Sequence, residues 1–186
     1  IKYINSLNIR ISRELTGCAD KVMKYVYGNT LIISPPGCGK TTILRDIIRQ
    51  ISNQGINISV VDERCEISGM YLGNIQFDLG ICTDVLCCYS KSIGMNMMLR
   101  SMGPKIIAVD EIGSDEDILA IHNLLNSGVK IIATIHCDTI ENILQKPFIE
   151  NIVKEKIFDS YIILNNNKKT GDLYKIYDKE LNIVWQ

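Results

Sequence analysis

Long apolar runs are missing from this sequence. None approaches the ~20 residues needed to cross a bilayer, and no secretory leader is visible at its start. Net charge is nearly missing too, at −1 over 186 residues. There is thus no global basic excess of the kind that marks a nucleic-acid binder, although a local patch would be hidden in the sum. No paired C-x-x-C occurs. The seven cysteines (Cys18, Cys38, Cys65, Cys82, Cys87, Cys88 and Cys137) are odd in number and scattered, which fits free thiols in a reducing cytosol rather than a disulfide framework. Cys82, Cys87 and Cys88 have no histidine near them in sequence and read as small buried hydrophobes rather than metal ligands. Repeats and low-complexity tracts are absent beyond a short Asn/Lys turn.

What is present is an ordinary globular composition, nearly half apolar, and enough chain for one domain with a substantial core. The chain begins at Ile1 rather than Met, so it is expected to be the C-terminal part of a longer protein. Residues 1–28 read as an N-terminal linker and helix segment, and residues 29–186 as the domain itself.

The most informative stretch is Ser34-Pro35-Pro36-Gly37-Cys38-Gly39-Lys40-Thr41-Thr42. It follows the apolar run Leu31-Ile32-Ile33 and opens a segment of helical periodicity. Strand, glycine loop and helix in that order make G-K-T a phosphate-binding loop, or Walker A element. Ser34 stands where the usual pattern has its first glycine. Gly37 and Gly39 let backbone N–H groups curl around a phosphate chain, and the helix dipole points at the same anion. Pro36, Gly37, Cys38, Gly39, Lys40, Thr41 and Thr42 are therefore the candidate ATP-binding residues. Lys40 would reach the β- and γ-phosphates, and Thr41, better spaced than Thr42, would ligate Mg²⁺.

The second decisive stretch is Lys105-Ile106-Ile107-Ala108-Val109-Asp110-Glu111. A near-continuous apolar run is a strand buried on both faces, hence central in a parallel sheet. Ending it in Asp-Glu makes a Walker B element, with Asp110 in the Mg²⁺ shell and Glu111 polarising the attacking water. Glu63, in the charged run Asp62-Glu63-Arg64 after another strand, is the competing carboxylate for that last task.

Between and around these motifs the patterning predicts alternating elements. Ile9–Arg13 reads as a short strand or extended linker, with Arg10 and Arg13 either reaching a phosphate or simply solvated. Asp20–Tyr27 reads as a helix and Thr30–Ile33 as the first core strand. A helix from Lys40 to about Asn53 buries Ile43, Leu44, Ile47, Ile48 and Ile51, leaving Arg45, Asp46, Arg49 and Gln50 on its other face. Ile56–Val61 is a strand, 65–89 loops and short strands, and Lys91–Met102 a Met-rich helix. Ser114 caps a helix whose buried face is Ile118, Leu119, Ile121, Leu124 and Leu125, with His122 as a packing residue. Val129–Ile135 is a strand, and Asp138 and Glu141 form a capping box for a helix that Pro147 ends. Ile157–Leu164 and Leu173–Tyr177 pair as a hairpin.

This layout is that of an α/β RecA-like P-loop NTPase: a mostly parallel sheet flanked by helices, with a C-terminal β-hairpin. In such enzymes a polar sensor strand lies between the two Walker strands, so Thr134 or His136 would read the γ-phosphate.

Several further stretches carry a closer resemblance. They are Ser6 to Ile11, Pro35 to Asp46, Val61-Asp62-Glu63-Arg64-Cys65-Glu66-Ile67, Thr83-Asp84-Val85-Leu86, Arg100-Ser101-Met102 and Val109-Asp110-Glu111-Ile112-Gly113. With them the chain resembles the stage III sporulation AA family, within the type II/type IV secretion ATPase superfamily. The resemblance implies an ATP hydrolase on the cytoplasmic side, peripheral to the mother-cell membrane, that powers or assembles the channel to the forespore. It implies a homo-oligomer, a hexamer in the superfamily, with membrane-embedded channel or secretion subunits as partners. It maps the superfamily's acidic box onto Asp62-Glu63-Arg64 and its histidine box onto Thr134-Ile135-His136. It makes Arg64 and Arg100 the candidates for completing a neighbouring subunit's site, with Arg10 and Arg13 behind them. Two departures stand out: Asp110-Glu111 replaces the usual Gly-Glu, and the cysteine-paired metal module is missing. Competing readings are a nucleic-acid-handling ATPase, disfavoured by the neutral charge and the lack of an aromatic–basic groove, and a slow nucleotide-dependent switch or scaffold.

Overall fold

Runs of Ile, Val, Leu and Ala bounded by polar residues or glycine favour strands buried on both faces, and the helical stripes between them supply the cover. The computed structural model describes residues 3, 5–7, 13–144, 147–165 and 172–186. The expected strand around Ile9, together with Arg10, lies outside the described residues, as does the turn at 166–171. In chain order the elements are β1 (Thr30–Ser34), α1 (Lys40–Ser52), β2 (Ile58–Asp62), β3 (Thr83–Cys87), α2 (Lys91–Met102), β4 (Ile106–Val109), α3 (Asp115–Asn126), β5 (Lys130–His136), α4 (Ile140–Leu144), α5 (Pro147–Lys154), β6 (Ser160–Asn165), β7 (Asp172–Asp178) and β8 (Ile183–Trp185).

The strands form one sheet in the order β3-β2-β4-β5-β1-β6-β7-β8. Pairing is parallel from β3 through β6 and antiparallel at β6–β7 and β7–β8. β5 lies between β4 and β1, as the RecA-like layout requires. Alternate residues feed two cores. Leu31, Ile33, Ile107, Val109, Ile131 and Ala133 pack with α2, α3 and α5 on one face. Ile32, Ile58, Val60, Ala108 and Ile132 pack with α1 on the other. A Cβ on Gly94 would come within 2.5 Å of Val61 Cγ1, so glycine there is what lets α2 lie close against β2. Among the described residues, no helix is long and apolar enough to cross a membrane.

Several local expectations are corrected. Asp20–Tyr27 is not a helix; turns lead into one 3₁₀ turn, Met23–Tyr25. Its i→i−3 bonds (Tyr25 N–H to Val22 O, 2.8 Å) let Ala19 and Val22 sink completely onto α1. That segment covers the supposedly free face of the helix, so Arg45 and Asp46 are each only 3% exposed. Asp46 Oδ2 accepts the Ala19 N–H (2.8 Å). The Arg45 guanidinium donates to the carbonyls of Arg13, Glu66 and Ile67 at 2.9, 2.8 and 2.7 Å and lies over the Phe77 ring.

Leu119 is 66% exposed rather than buried. The capping box of Ser114 and Asp117 draws Asp117 inward, which turns Ala120, Ile121 and Leu124 to the core and Leu119 away from it. His122 is partly exposed and faces Glu155 (3.5 Å) instead of packing. Thr139, not Asp138, caps α4 through the Asn142 N–H. Pro147 opens α5 rather than closing a helix, because the first helical position needs no N–H.

Candidate active site

The glycine loop runs from the end of β1 into α1. Gly37 and Gly39 hold left-handed φ values of 76° and 89°, which a side chain would strain. Gly39 is the N-cap of α1 and offers no side-chain acceptor, and the first turn carries no acidic residue. The unpaired amides and positive dipole end of this helix are therefore available to an anion. Helix α3 is the contrast: Ser114, Asp115, Glu116 and Asp117 already satisfy its N-terminus. Cys38 is buried, with its Sγ–H toward the Pro36 carbonyl (3.8 Å), so its thiol packs inside the loop.

Strand register assembles the polar side chains. Ser34 pairs with His136 across β1 and β5, and Val109 pairs with Ala133 across β4 and β5. The next residues along, Asp110 and Thr134, therefore meet. Thr134 donates its hydroxyl to Asp110 Oδ1 and accepts the Glu111 N–H (2.9 Å), while its carbonyl accepts the Ile112 N–H (2.9 Å). These bonds hold Glu111 at φ 52°, a strained left-handed position for a residue with a Cβ. Thr41 donates to the other Asp110 oxygen at 2.7 Å.

Lys40 is 5% exposed. Its Nζ donates to the carbonyls of Ser34 (3.4 Å) and Pro35 (3.5 Å) and approaches His136 Nδ1 at 2.7 Å. An ammonium only donates, so Nδ1 accepts and the imidazole proton sits on Nε2, 2.5 Å from Glu111 Oε1. Lys40, His136 and Glu111 thus form one continuous chain. Burial lowers the Lys40 pKa, while the charges of Asp110 and Glu111 oppose that shift. The donor set at Asp110 and Thr41 is hard oxygen, and their oxygens are separated by about the distance between adjacent ligands on Mg²⁺ with its ~2.1 Å bonds. The residues fit a magnesium nucleotide.

The other expected residues lie at different distances from this centre. Arg64, 68% exposed, reaches Glu111 Oε2 of its own chain at 3.4 Å. Glu63 pairs with Lys91 at the start of α2 (2.6 Å). Arg100 is in the last turn of α2, ~13 Å of helix rise beyond Lys91. Thr42 faces the N-terminal segment, its carbonyl accepting the Cys18 thiol. Asp62, nominally part of the acidic box, is 2% exposed and accepts the amides of Glu66, Ile67 and Ser68 and the Ser68 hydroxyl. The anchoring of Glu111 by Thr134 had no signal in the sequence beyond a polar residue in an apolar strand.

Residues 1–184 match the family described as "Sporulation stage III, protein AA". The chain belongs to the stage III sporulation protein AA family. Among curated relatives, it is 39% identical over 194 residues to Stage III sporulation protein AA of Bacillus subtilis (strain 168), covering 99% of this chain and 63% of that protein. It is 29% identical to the uncharacterized protein ycf45 of Cyanidium caldarium, covering 90% and 52%. The chain therefore spans less than two thirds of the length of these relatives. Among solved structures, the ATPase DotB of Yersinia pseudotuberculosis superposes with TM-score 0.65 at 15% identity, covering 89% of this chain and 49% of that one. The pilus retraction motor PilT with bound ADP superposes at 0.57 and 19% identity, covering 85% and 49%. At these identities the likeness shows the fold, which is that of the RecA-like secretion ATPases.

Proposed function

We propose that this chain is a Mg²⁺-dependent ATP hydrolase domain that works as a ring, the motor for the channel between mother cell and forespore. The observation that carries this reading is the continuous chain Lys40–His136–Glu111 beside the Asp110–Thr41 oxygen pair, at the open N-terminus of α1. Lys40 binds phosphate as a point charge, and the amides of the loop orient the same group. Thr41 and Asp110 would hold Mg²⁺, which would supply neutralisation of the phosphate charge. Glu111 accepts a hydrogen bond from the attacking water and orients it. His136 couples that carboxylate to Lys40, so a phosphate that draws Lys40 away also frees Glu111 for water.

Arg64 suits the role of a group shared between subunits. Its contact with Glu111 is an exposed ion pair, worth at most ~1 kcal/mol, so turning it toward an adjacent subunit is inexpensive. Such an arginine is worth ~10³–10⁵ in rate. The partners we propose are further copies of this chain, as a hexamer, and membrane-embedded subunits of the channel, with the domain peripheral to the cytoplasmic face. ATP turnover measured against protein concentration, with particle mass determined at each point, tests the reading. Specific activity is expected to rise as the ring forms. A flat specific activity in a persistent monomer would overturn the ring.

A further inference from the structure

The loops that follow β2 and β3 each turn through a left-handed residue, and in both cases that residue is a cysteine: Cys65 at φ 56° and Cys88 at φ 64°. A Cβ at such angles is unfavourable, and glycine or asparagine would be the ordinary choice. The two backbones converge on one acceptor, since the N–H groups of Cys65 (3.2 Å) and Cys88 (3.3 Å) both donate to the Asp62 carbonyl. That shared anchor places the two sulfurs 3.6 Å apart. Asp62 is itself fixed by four hydrogen bonds from residues 66–68, so the approach is built into the rigid end of β2. Cys88 is exposed and Cys65 half-buried.

We propose that Cys65 and Cys88 form a thiol-modification site, at which a low-molecular-weight disulfide closes a reversible bond between the loops after β2 and β3. Bond formation draws the sulfurs from 3.6 Å to ~2.0 Å, a movement the exposed Cys88 side chain can supply. Cys88, as its thiolate, attacks one sulfur of the disulfide and releases one small thiol. Cys65 then loses its proton to solvent and attacks the Cys88 sulfur, releasing the second. The two protein thiols are oxidised by two electrons, and the disulfide is reduced to two thiols. The order follows access, and burial together with hydrogen bonds to Cys87 and Cys88 raises the Cys65 pKa, which makes Cys65 the poorer source of thiolate and leaves the first attack to Cys88. Arg64 immediately precedes Cys65 and touches Glu111, so the closed bond tethers the loop that borders the candidate active site.

The test is incubation of the folded, fully reduced chain with oxidised glutathione, followed by thiol trapping, intact mass and peptide mapping. The expected result is loss of two of the seven thiols, a single Cys65–Cys88 linked peptide, no retained glutathione, and full reversal by dithiothreitol. Cys65→Ser should instead keep glutathione on Cys88, and Cys88→Ser should lose the two-thiol change. A wild-type chain that holds a stable glutathione adduct on Cys88 without closing, or that links another pair such as Cys65 and Cys87, would overturn the assignment.

Discussion

Asp62 and Asp110 follow the paired residues Val61 and Val109 on neighbouring strands, yet they have opposite surroundings. Asp62 is sealed, its oxygens taken by three amides and a hydroxyl of its own loop. Asp110 is half-buried and receives two hydroxyls, Thr41 from the glycine loop and Thr134 from β5. A carboxylate saturated by backbone N–H groups organises structure. One that meets only hydroxyls from two separate elements can exchange a neighbour for a cation. The same residue type at the same level of the sheet is thus a fastener on one strand and a candidate ligand on the next.

Breaking the catalytic side of this comparison has the largest expected effect. Glu111→Gln keeps ATP binding but lowers turnover by ~10²–10⁴-fold, the usual value of a positioned acid–base group. Steady-state phosphate release alongside a binding titration checks this, and unchanged turnover would remove Glu111 from the role. The structural side comes next. Asp62→Ala orphans buried donors and is expected to cost ~3 kcal/mol in urea unfolding, whereas Asp110→Asn costs under ~1 kcal/mol. Equal losses would erase the distinction between the two carboxylates. Smallest is Arg64→Ala, where removing an exposed ion pair should change stability by less than ~0.5 kcal/mol. A larger shift in the melting curve would mean that Arg64 is a structural anchor rather than a side chain free to serve a neighbour.

The sheet and the glycine loop were legible because their signals are local: apolar runs, G-C-G-K-T, and Asp-Glu at a strand end. The pattern of Lys91–Met102 carries the observed bounds of α2, and the position of β5 between β4 and β1 follows from the RecA-like layout. What was not legible depends on contacts distant in sequence. Arg45 and Asp46 read as an exposed helix face, yet residues 13–22 and 66–67 cover them. Leu119 read as core because periodicity gives the spacing of a stripe but not its rotation, which the Ser114–Asp117 cap sets. Pro147 read as a stop because a proline that breaks one helix equally suits the first position of another. At the candidate site, residue types were visible but not their connections. The link from Lys40 through His136 to Glu111 exists only because Ser34 and His136 share a register position.

The central claim is that Lys40 and its surroundings bind a nucleotide's phosphates. Its most direct test is equilibrium titration of wild type and Lys40→Ala with a fluorescent ATP analogue in the presence of Mg²⁺. The account predicts saturable binding by wild type and ~10–100-fold weaker binding by the variant, the equivalent of losing a charge-assisted hydrogen bond. Equal affinity of the two proteins, or no binding by wild type, would contradict it.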